Sequence, residues 1–234
     1  VDIVIIYAML GKHHVIILAA GKGERMRSNE PKQFLILGKK PVLIHSLCAF
    51  YNYDKNSVIS VVLQKNKVNY WKLICKQHNF NFKHNIVIGG STRYESVRNA
   101  LNNLNIAHND MVTIHDGVRP FISKKLITKI FNSAFKKGHA APFLSLKDSL
   151  RKFDEKKINT KSVNRTNFIL IQTPQIFRGN IIKEAYKKEK NNKTDDISLI
   201  ESNVKRVNLI KGEQTNLKIT TKEDWILANL LIKN

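Results

Sequence analysis

The stretch His14–Ala20 constrains this chain more than any other feature: it is β-branched, almost continuously apolar, and runs straight into Gly21-Lys22-Gly23. A strand with one wet face alternates polar and apolar residues. A short unbroken apolar run belongs instead to a strand covered on both faces, as in a parallel sheet between helical layers. The pattern recurs. Ser57–Leu63, Asn85–Ile88, Met111–His115 and Ala140–Leu144 read as further strands. Between them lie amphipathic stretches with helical spacing. One opens at Pro41-Val42 with Leu43, Leu47 and Phe50 on one side, and another covers about Val68–His78. A third, Arg93–Leu104, turns Val97, Ala100, Leu101 and Leu104 inward, and a fourth runs from an N-cap at Ser123 to about Lys136. Strands alternating with helices predict an α/β sheet.

The pattern changes after Leu144. Lys147–Arg165 is polar, with strand-like pieces at Leu150–Phe153 and Ile158–Val163 around an Asp154-Glu155 turn. It reads as a hairpin excursion, not a second domain. Packing resumes at Phe168–Thr173, and helices are expected at about Asn180–Lys188 and Asp195–Ser202. The last strands are predicted at Val204–Ile210 and Leu217–Ile219, before a helix capped by Thr221 with Asp224 three positions on. With no repeat and no dividing linker, residues 14–234 are expected to form one domain and 1–13 an amino-terminal extension. The opening Val1–Leu10 lacks the basic start and the Ala-x-Ala-like end of a signal peptide. No window is long and apolar enough to span a bilayer. Cys48 and Cys75 fall within predicted helices and read as small buried hydrophobes of a reducing, cytoplasmic compartment.

Charge raises a competing possibility. Forty Lys and Arg stand against 18 Asp and Glu, a formal net charge of +22. Such an excess invites a nucleic-acid-binding reading, since phosphate backbones attract cations without sequence readout. Yet the lysines are spread along the whole chain among abundant Asn and Ile, and no recognition helix or set of exposed aromatics is identifiable. The expectation is a solvated basic surface that can focus small anions into a cleft, with no specific nucleic acid.

The loop after the first strand carries the chemistry. Gly21 and Gly23 admit backbone angles closed to other residues, so successive amides can point at phosphate oxygens. The Gly-Lys-Ser/Thr ending of a P-loop is absent, and so is the third glycine of the dinucleotide fingerprint. Arg25, Pro31, Lys32 and Gln33 return two cations to that loop. The histidines include no pair at metalloprotease spacing, His115 reads as a local hydrogen-bonding residue, and no serine sits in a Gly-x-Ser-x-Gly elbow.

Together these residues resemble a known signature. Ala19-Ala20-Gly21-x-Gly23-x-Arg25-Met26 with Pro31-Lys32-Gln33-Phe34 is similar to the sugar-phosphate nucleotidyltransferases and, within them, to the 2-C-methyl-D-erythritol 4-phosphate cytidylyltransferase family. Gly89-Gly90-x-x-Arg93-x-x-Ser96-Val97, His115-Asp116-Gly117-Val118-Arg119-Pro120, Gln172-Thr173-Pro174-Gln175-x-Phe177, Thr194-Asp195-Asp196 and Asn216-Leu217-Lys218-Ile219-Thr220 extend the likeness from about His14 to Leu231.

The resemblance implies a Rossmann-like three-layer sandwich with a mostly parallel central sheet and a protruding β-arm. It implies transfer of CMP from CTP to methylerythritol phosphate, with a hard divalent cation such as Mg²⁺. Ala19, Ala20, Gly21 and Gly23 would wrap CTP, and Gly90 and Ser96 would lie near its cytosine and ribose. Arg25 and Lys32 would stabilise the charge that grows on the phosphates, Lys32 foremost, during direct in-line attack without a covalent intermediate. Asp116 falls in the ribose and metal region, with Arg119 as a brace. Residues 147–165 match an arm that hooks around a partner in a homodimer, placing Arg165 at the acceptor phosphate of the other subunit. Ser149, where relatives commonly have Thr, joins Thr173, Asp195 and Lys218 around the acceptor, and Lys218 would share the catalytic role with Arg25 and Lys32. Gly117-Val118 stands where relatives often have Ala-Ala. Val118 leans toward the polyol-phosphate cytidylyltransferases, such as those acting on ribitol 5-phosphate, whereas Ser96-Val97 and the Asn-x-Lys-Ile-Thr segment lean the other way.

Overall fold

A computed structural model describes residues 11–21, 23, 26, 30–188 and 193–233. In chain order, β1 (His13–Leu18) is followed by a small hairpin of β2 (Ile36–Leu37) and β3 (Lys40–Pro41), then α1 (Val42–Tyr53) and β4 (Val58–Leu63). Next come α2 (Val68–Gln77), β5 (Asn85–Ile88), α3 (Arg93–Asn103), β6 (Met111–Asp116), α4 (Lys124–Lys137) and β7 (His139–Ser145). The chain ends with β8 (Leu150–Phe153), β9 (Thr160–Val163), β10 (Ile169–Ile171), β11 (Gln175–Arg178), α5 (Gly179–Lys188), β12 (Leu209–Lys211) and α6 (Lys222–Leu231).

The main sheet runs β10-β7-β11-β6-β1-β4-β5, and β12 also pairs with β7. Its heart is parallel, because β1 pairs with β4 on one edge and β6 on the other, and β5 extends from β4. Beyond β6 the direction reverses: β11 is antiparallel to both β6 and β7. Phe143 pairs with Ile171 of β10 and with Lys211 of β12, so those two strands flank β7 on opposite edges.

The pleat sorts side chains into two cores. Val15 and Ile17 of β1, with Ala19 just beyond it, face the layer of α1, α2 and α4, meeting Leu43, Leu47, Phe50, Trp71, Ile127 and Ile130. Ile16 faces the opposite layer, with Val97 and Leu101 of α3 and Ile182 and Ala185 of α5. Three layers follow from that alternation, and each fully buried Val or Ile contributes about 1.5–3 kcal/mol by leaving water. A smaller third cluster, Leu37, Val42, Val118, Ile219 and Ala228, seats α6 beside the carboxyl ends of the strands.

Caps set the helix limits. Thr92 accepts from the Glu95 amide at the start of α3, and Ser123 accepts from the Leu126 amide at the start of α4. The α6 capping box is complete, with Thr221 and Asp224 exchanging bonds to each other's backbone. Cys48 and Cys75 are free and half-buried in α1 and α2, and burial pushes both thiols up. No helix among the described residues is long and apolar enough to cross a membrane.

Several expectations are corrected. Asp195–Ser202 is no α-helix but two short 3₁₀ turns, Ile197–Leu199 and Glu201–Asn203. Asp195 and Asp196 are committed to other partners there, and Ile197, Leu199 and Ile200 simply plug the core. The strand predicted over Val204–Ile210 reduces to Leu209–Lys211. Leu217–Ile219 pairs with no strand; the Ile219 amide bonds the Val118 carbonyl instead (2.9 Å). The strand β11 went unforeseen, since Pro174 precedes it and its four residues carry no alternation. The polar excursion is a separate two-stranded hairpin of β8 and β9, and Asp154 accepts from the Ile158 and Asn159 amides at its turn. Val1–Leu10 lies outside the described residues.

Candidate active site

The carboxyl ends of β1, β4, β5 and β6 converge where the strand order reverses around β1, the usual ligand crevice of an open parallel sheet. A cleft of about 750 Å³ opens there, lined by Leu18 to Gly21, Gly23, Lys32, Gln33, Gln64, Lys65, Ile88 to Arg93, Ser96, Asp116, Val118 and Lys218. Lys32, Lys65, Arg93 and Lys218 are its described cations and Asp116 its one described carboxylate, so it is a site for an anion.

Three successive carbonyls of the glycine loop already accept hydrogen bonds from side-chain amides. Gln33 Nε2 donates to the Ala19 and Gly21 carbonyls (2.8 and 3.2 Å), and Gln64 Nε2 donates to that of Ala20 (2.9 Å). Gly21 has open space where a Cβ would sit, while Gly23 holds φ +75° against the backbone of Lys32. Lys32 itself is buried, 8% exposed, in the short turn Lys32–Phe34. Arg25, the other expected loop cation, lies outside the described residues.

Opposite the loop, Gly89 passes so close that an added Cβ would lie 2.7 Å from Ala20 Cβ and 2.9 Å from Ser96 Oγ. Ser96 is buried and accepts from the Gly90 amide (3.1 Å). Ala19, Ala20, Gly21, Gly23, Gly90 and Ser96 all line this one cleft.

Asp116 ends β6 at the floor. Its carboxylate meets Lys218 Nζ at 3.0 Å, Arg119 Nε at 3.4 Å and Arg93 Nε at 3.9 Å. Burial alone would raise this carboxyl, but Lys218, Arg93 and Arg119 outweigh it and hold the group well below the usual carboxylate range. Its backbone amide donates to Thr173 Oγ1 (3.0 Å), which also contacts His115 Nδ1 (3.2 Å). His115 is fully buried, and burial pushes its imidazole down to about 4, so it stays neutral and serves as a local hydrogen-bonding residue. Asn216 ties the arrangement together, giving its amide to the Thr173 carbonyl and taking Arg119 Nη1 on its own carbonyl (both 2.8 Å). That lattice, rather than a strand, carries Lys218 over Asp116.

The remaining expected residues sit elsewhere. Thr173 is buried beneath Asp116 and does not line the cleft. Asp195 accepts from the Ser198 amide (2.9 Å), capping a 3₁₀ turn. Ser149 and Arg165 are exposed at the base of the hairpin, where Arg165 donates to the Lys147 carbonyl. Arg93 went unassigned in the sequence. It pairs bidentately with fully buried Asp196 (2.8 and 2.6 Å), a partner 103 positions away.

A glycine loop, a buried lysine and a caged carboxylate at the switch point of a parallel sheet define an α/β enzyme that handles nucleotide phosphates. Known proteins narrow the class. The sequence model of the family described as 2-C-methyl-D-erythritol 4-phosphate cytidylyltransferase (IspD) matches residues 13–234. A protein of that name from Azobacteroides pseudotrichonymphae is 42% identical over 221 residues, covering 94% of this chain and 98% of its own. The crystal structure of the Thermus thermophilus protein of that name superposes with a TM-score of 0.78 at 29% identity, covering 96% of this chain and all (100%) of that one. A structure from Anaerococcus prevotii, called 4-diphosphocytidyl-2C-methyl-D-erythritol synthase, gives 0.79 at 30% identity over 95% of this chain and 99% of its own. The chain belongs to the 2-C-methyl-D-erythritol 4-phosphate cytidylyltransferase family.

Proposed function

We propose that the cleft binds CTP and transfers its CMP to 2-C-methyl-D-erythritol 4-phosphate, releasing pyrophosphate and forming 4-diphosphocytidyl-2-C-methyl-D-erythritol. The observation that carries this reading is the buried Lys32 beside a glycine loop whose carbonyls are tied back, facing a cluster of fixed cations. An acceptor phosphate is already ionised near neutral pH, so it attacks the α-phosphorus without a strong base. Charge then grows on the phosphate oxygens and the departing pyrophosphate. Lys32 stabilises it from the loop side and Lys218 from the floor, at little cost in reorganisation, and the family resemblance gives Arg25 the same task.

Asp116 is the one described carboxylate in the cleft, and no group of three or more His, Cys, Asp or Glu among the described residues could hold a metal. Asp116, ion-paired to Lys218, Arg119 and Arg93, would be the described protein ligand of a hard divalent cation whose other ligands would be triphosphate oxygens and water. Such a cation would neutralise phosphate charge.

The acceptor side is assembled from two copies. Arg165 and Ser149 stand on an exposed hairpin and neither lines the cleft, which supports their delivery into the site of a second subunit. Phe153 and Ile158 on that hairpin are exposed apolar side chains suited to burial against a partner. Thr173 and Asp195 contribute from beneath by fixing Asp116 and the following turn. The free thiols of Cys48 and Cys75 suit a reducing compartment such as the cytoplasm.

Pyrophosphate release from CTP and Mg²⁺ tests the reading. Methylerythritol phosphate should support it. Release with ribitol 5-phosphate alone would transfer the assignment to the polyol-phosphate enzymes, and salt-sensitive binding of generic DNA or RNA without turnover would replace it altogether.

A further inference from the structure

Arg93 is aimed by a buried assembly that the reaction above does not use. Its partner Asp196 is fully buried, and the amides of Asp196 and Ile197 both donate to Gln175 Oε1 (3.0 and 2.8 Å), locking that acid to β11. The Tyr186 hydroxyl, from α5, donates to Asp196 Oδ1 at 2.6 Å. Tyr186 stacks on Tyr94 of α3 at 4.9 Å between centroids and 18° between planes. Burial and the neighbouring Asp196 hold the Tyr186 phenol far above its ordinary range, so it remains a donor. At the other end Arg93 lines the cleft, with Nε 3.9 Å from Asp116 Oδ1. A hydroxyl in one helix thus reaches the cleft floor through one carboxylate and one guanidinium.

Asp196 and Asp116 both face the Arg93 guanidinium, so the arginine is a strut between them as well as a cation of the cleft. A planar guanidinium held by two parallel bonds has little rotational freedom, and a lysine could not reproduce that hold. We propose that Tyr186 and Asp196 are positioning residues that fix Arg93 against Asp116 and thereby set the affinity of the cleft for nucleotide. This rests on the reading that the cleft binds CTP.

The test is a set of four variants measured by pyrophosphate release and by direct calorimetric titration of CTP. Tyr186→Phe keeps the stack and loses one hydrogen bond to a charged group. It should raise KM and Kd for CTP about ten-fold while kcat changes less than about two-fold. Tyr94→Phe removes the other hydroxyl of the same stack, which donates to the Tyr186 carbonyl and not to Asp196, and should change both constants less than about two-fold. Arg93→Lys should weaken CTP to a similar degree, and Tyr186→Phe placed on top of it should add nothing further. An unchanged KM in Tyr186→Phe, equal effects of the two tyrosine variants, or additivity with Arg93→Lys would overturn the proposal. If Tyr186→Phe does not fold, Asp196→Asn takes its place under the same criteria. A wild-type protein that binds CTP without turning over any acceptor would defeat the reaction alone, because the titration still reads the positioning. A wild-type protein that fails to bind CTP would defeat both.

Discussion

Exchanging Gln33 for glutamate perturbs the glycine loop by one atom type and nothing else in shape. Gln33 is 2% exposed, and its amide nitrogen faces two carbonyl oxygens, so its orientation is fixed by its partners. A carboxylate in that position turns two donations into two repulsions. Loss of the bonds alone costs about 1 kcal/mol each. Protonated, the new side chain can still donate once, and about 1 kcal/mol is the expected loss at pH 4. Ionised, it is a buried acid without a donor, and such groups have pKa values raised by about 3 units. The sign follows from linkage. The folded pKa lies above the unfolded value of about 4.3, so stability is greatest below that pH and falls as pH rises toward about 7. At about 1.4 kcal/mol per unit, the pH-dependent part approaches 4 kcal/mol at pH 8, an upper bound because Lys32 is adjacent in the chain and favours the anion. Urea unfolding of wild type and Gln33→Glu at pH 4.5 and pH 8 measures the difference directly. A loss of the same size at both pH values would refute the argument that the donor, rather than the packing, is what the loop needs.

Other outcomes follow from the same geometry. Lys32→Ala should lower kcat about 100-fold or more with little change in melting temperature, read by steady-state pyrophosphate release and thermal unfolding side by side. His115 has its pKa depressed from 6.5 to about 4 by burial, so the unfolded chain takes up the proton first and stability falls as pH drops from about 6.5 toward 4. Replacing it by Gln should flatten that fall by about 2 kcal/mol in urea titrations at pH 4.5 and 7, while buried His14 and His139 keep a residual slope of the same sign. Mixing inactive Lys32→Ala and Arg165→Ala proteins should restore about a quarter of wild-type turnover if Arg165 serves the partner's site, since half of each mixed dimer is then intact. No restoration, with subunit exchange verified, would place Arg165 in its own subunit's site.

Much of the fold was legible because its signals are local. The helices follow the 3.6-residue spacing of apolar side chains, and their starts follow caps such as Ser123 and Thr221. The parallel strands follow β-branched runs, because burial on both faces removes the need for alternation. The strand β11 was missed where its four residues, Gln175–Arg178, gave too short a signal behind a proline. The residues 197–203 have apolar side chains at helical spacing, yet tertiary bonds to Gln175 and Arg93 fix the start of that segment differently. In the site, motif residues from the loop, from the β5–α3 turn and from the end of β6 do meet around one cleft. What the motifs could not carry is who holds whom. Arg93 and Asp196 are each visible in the sequence, but their pairing spans 103 positions and belongs only to the folded chain. The buried side of Thr173 is equally a product of the sheet, which turns its hydroxyl toward Asp116.

The amides of Gln33 and Gln64 reach the glycine loop from different segments and hold three neighbouring oxygens. Oxygens that would otherwise repel an anion at this loop are therefore already occupied, by neutral groups that respond little to ionic strength. Added salt will fade the pull of the exposed lysines first. What salt leaves in place is this neutral hydrogen bonding, which does not depend on the surface charge of this very basic protein.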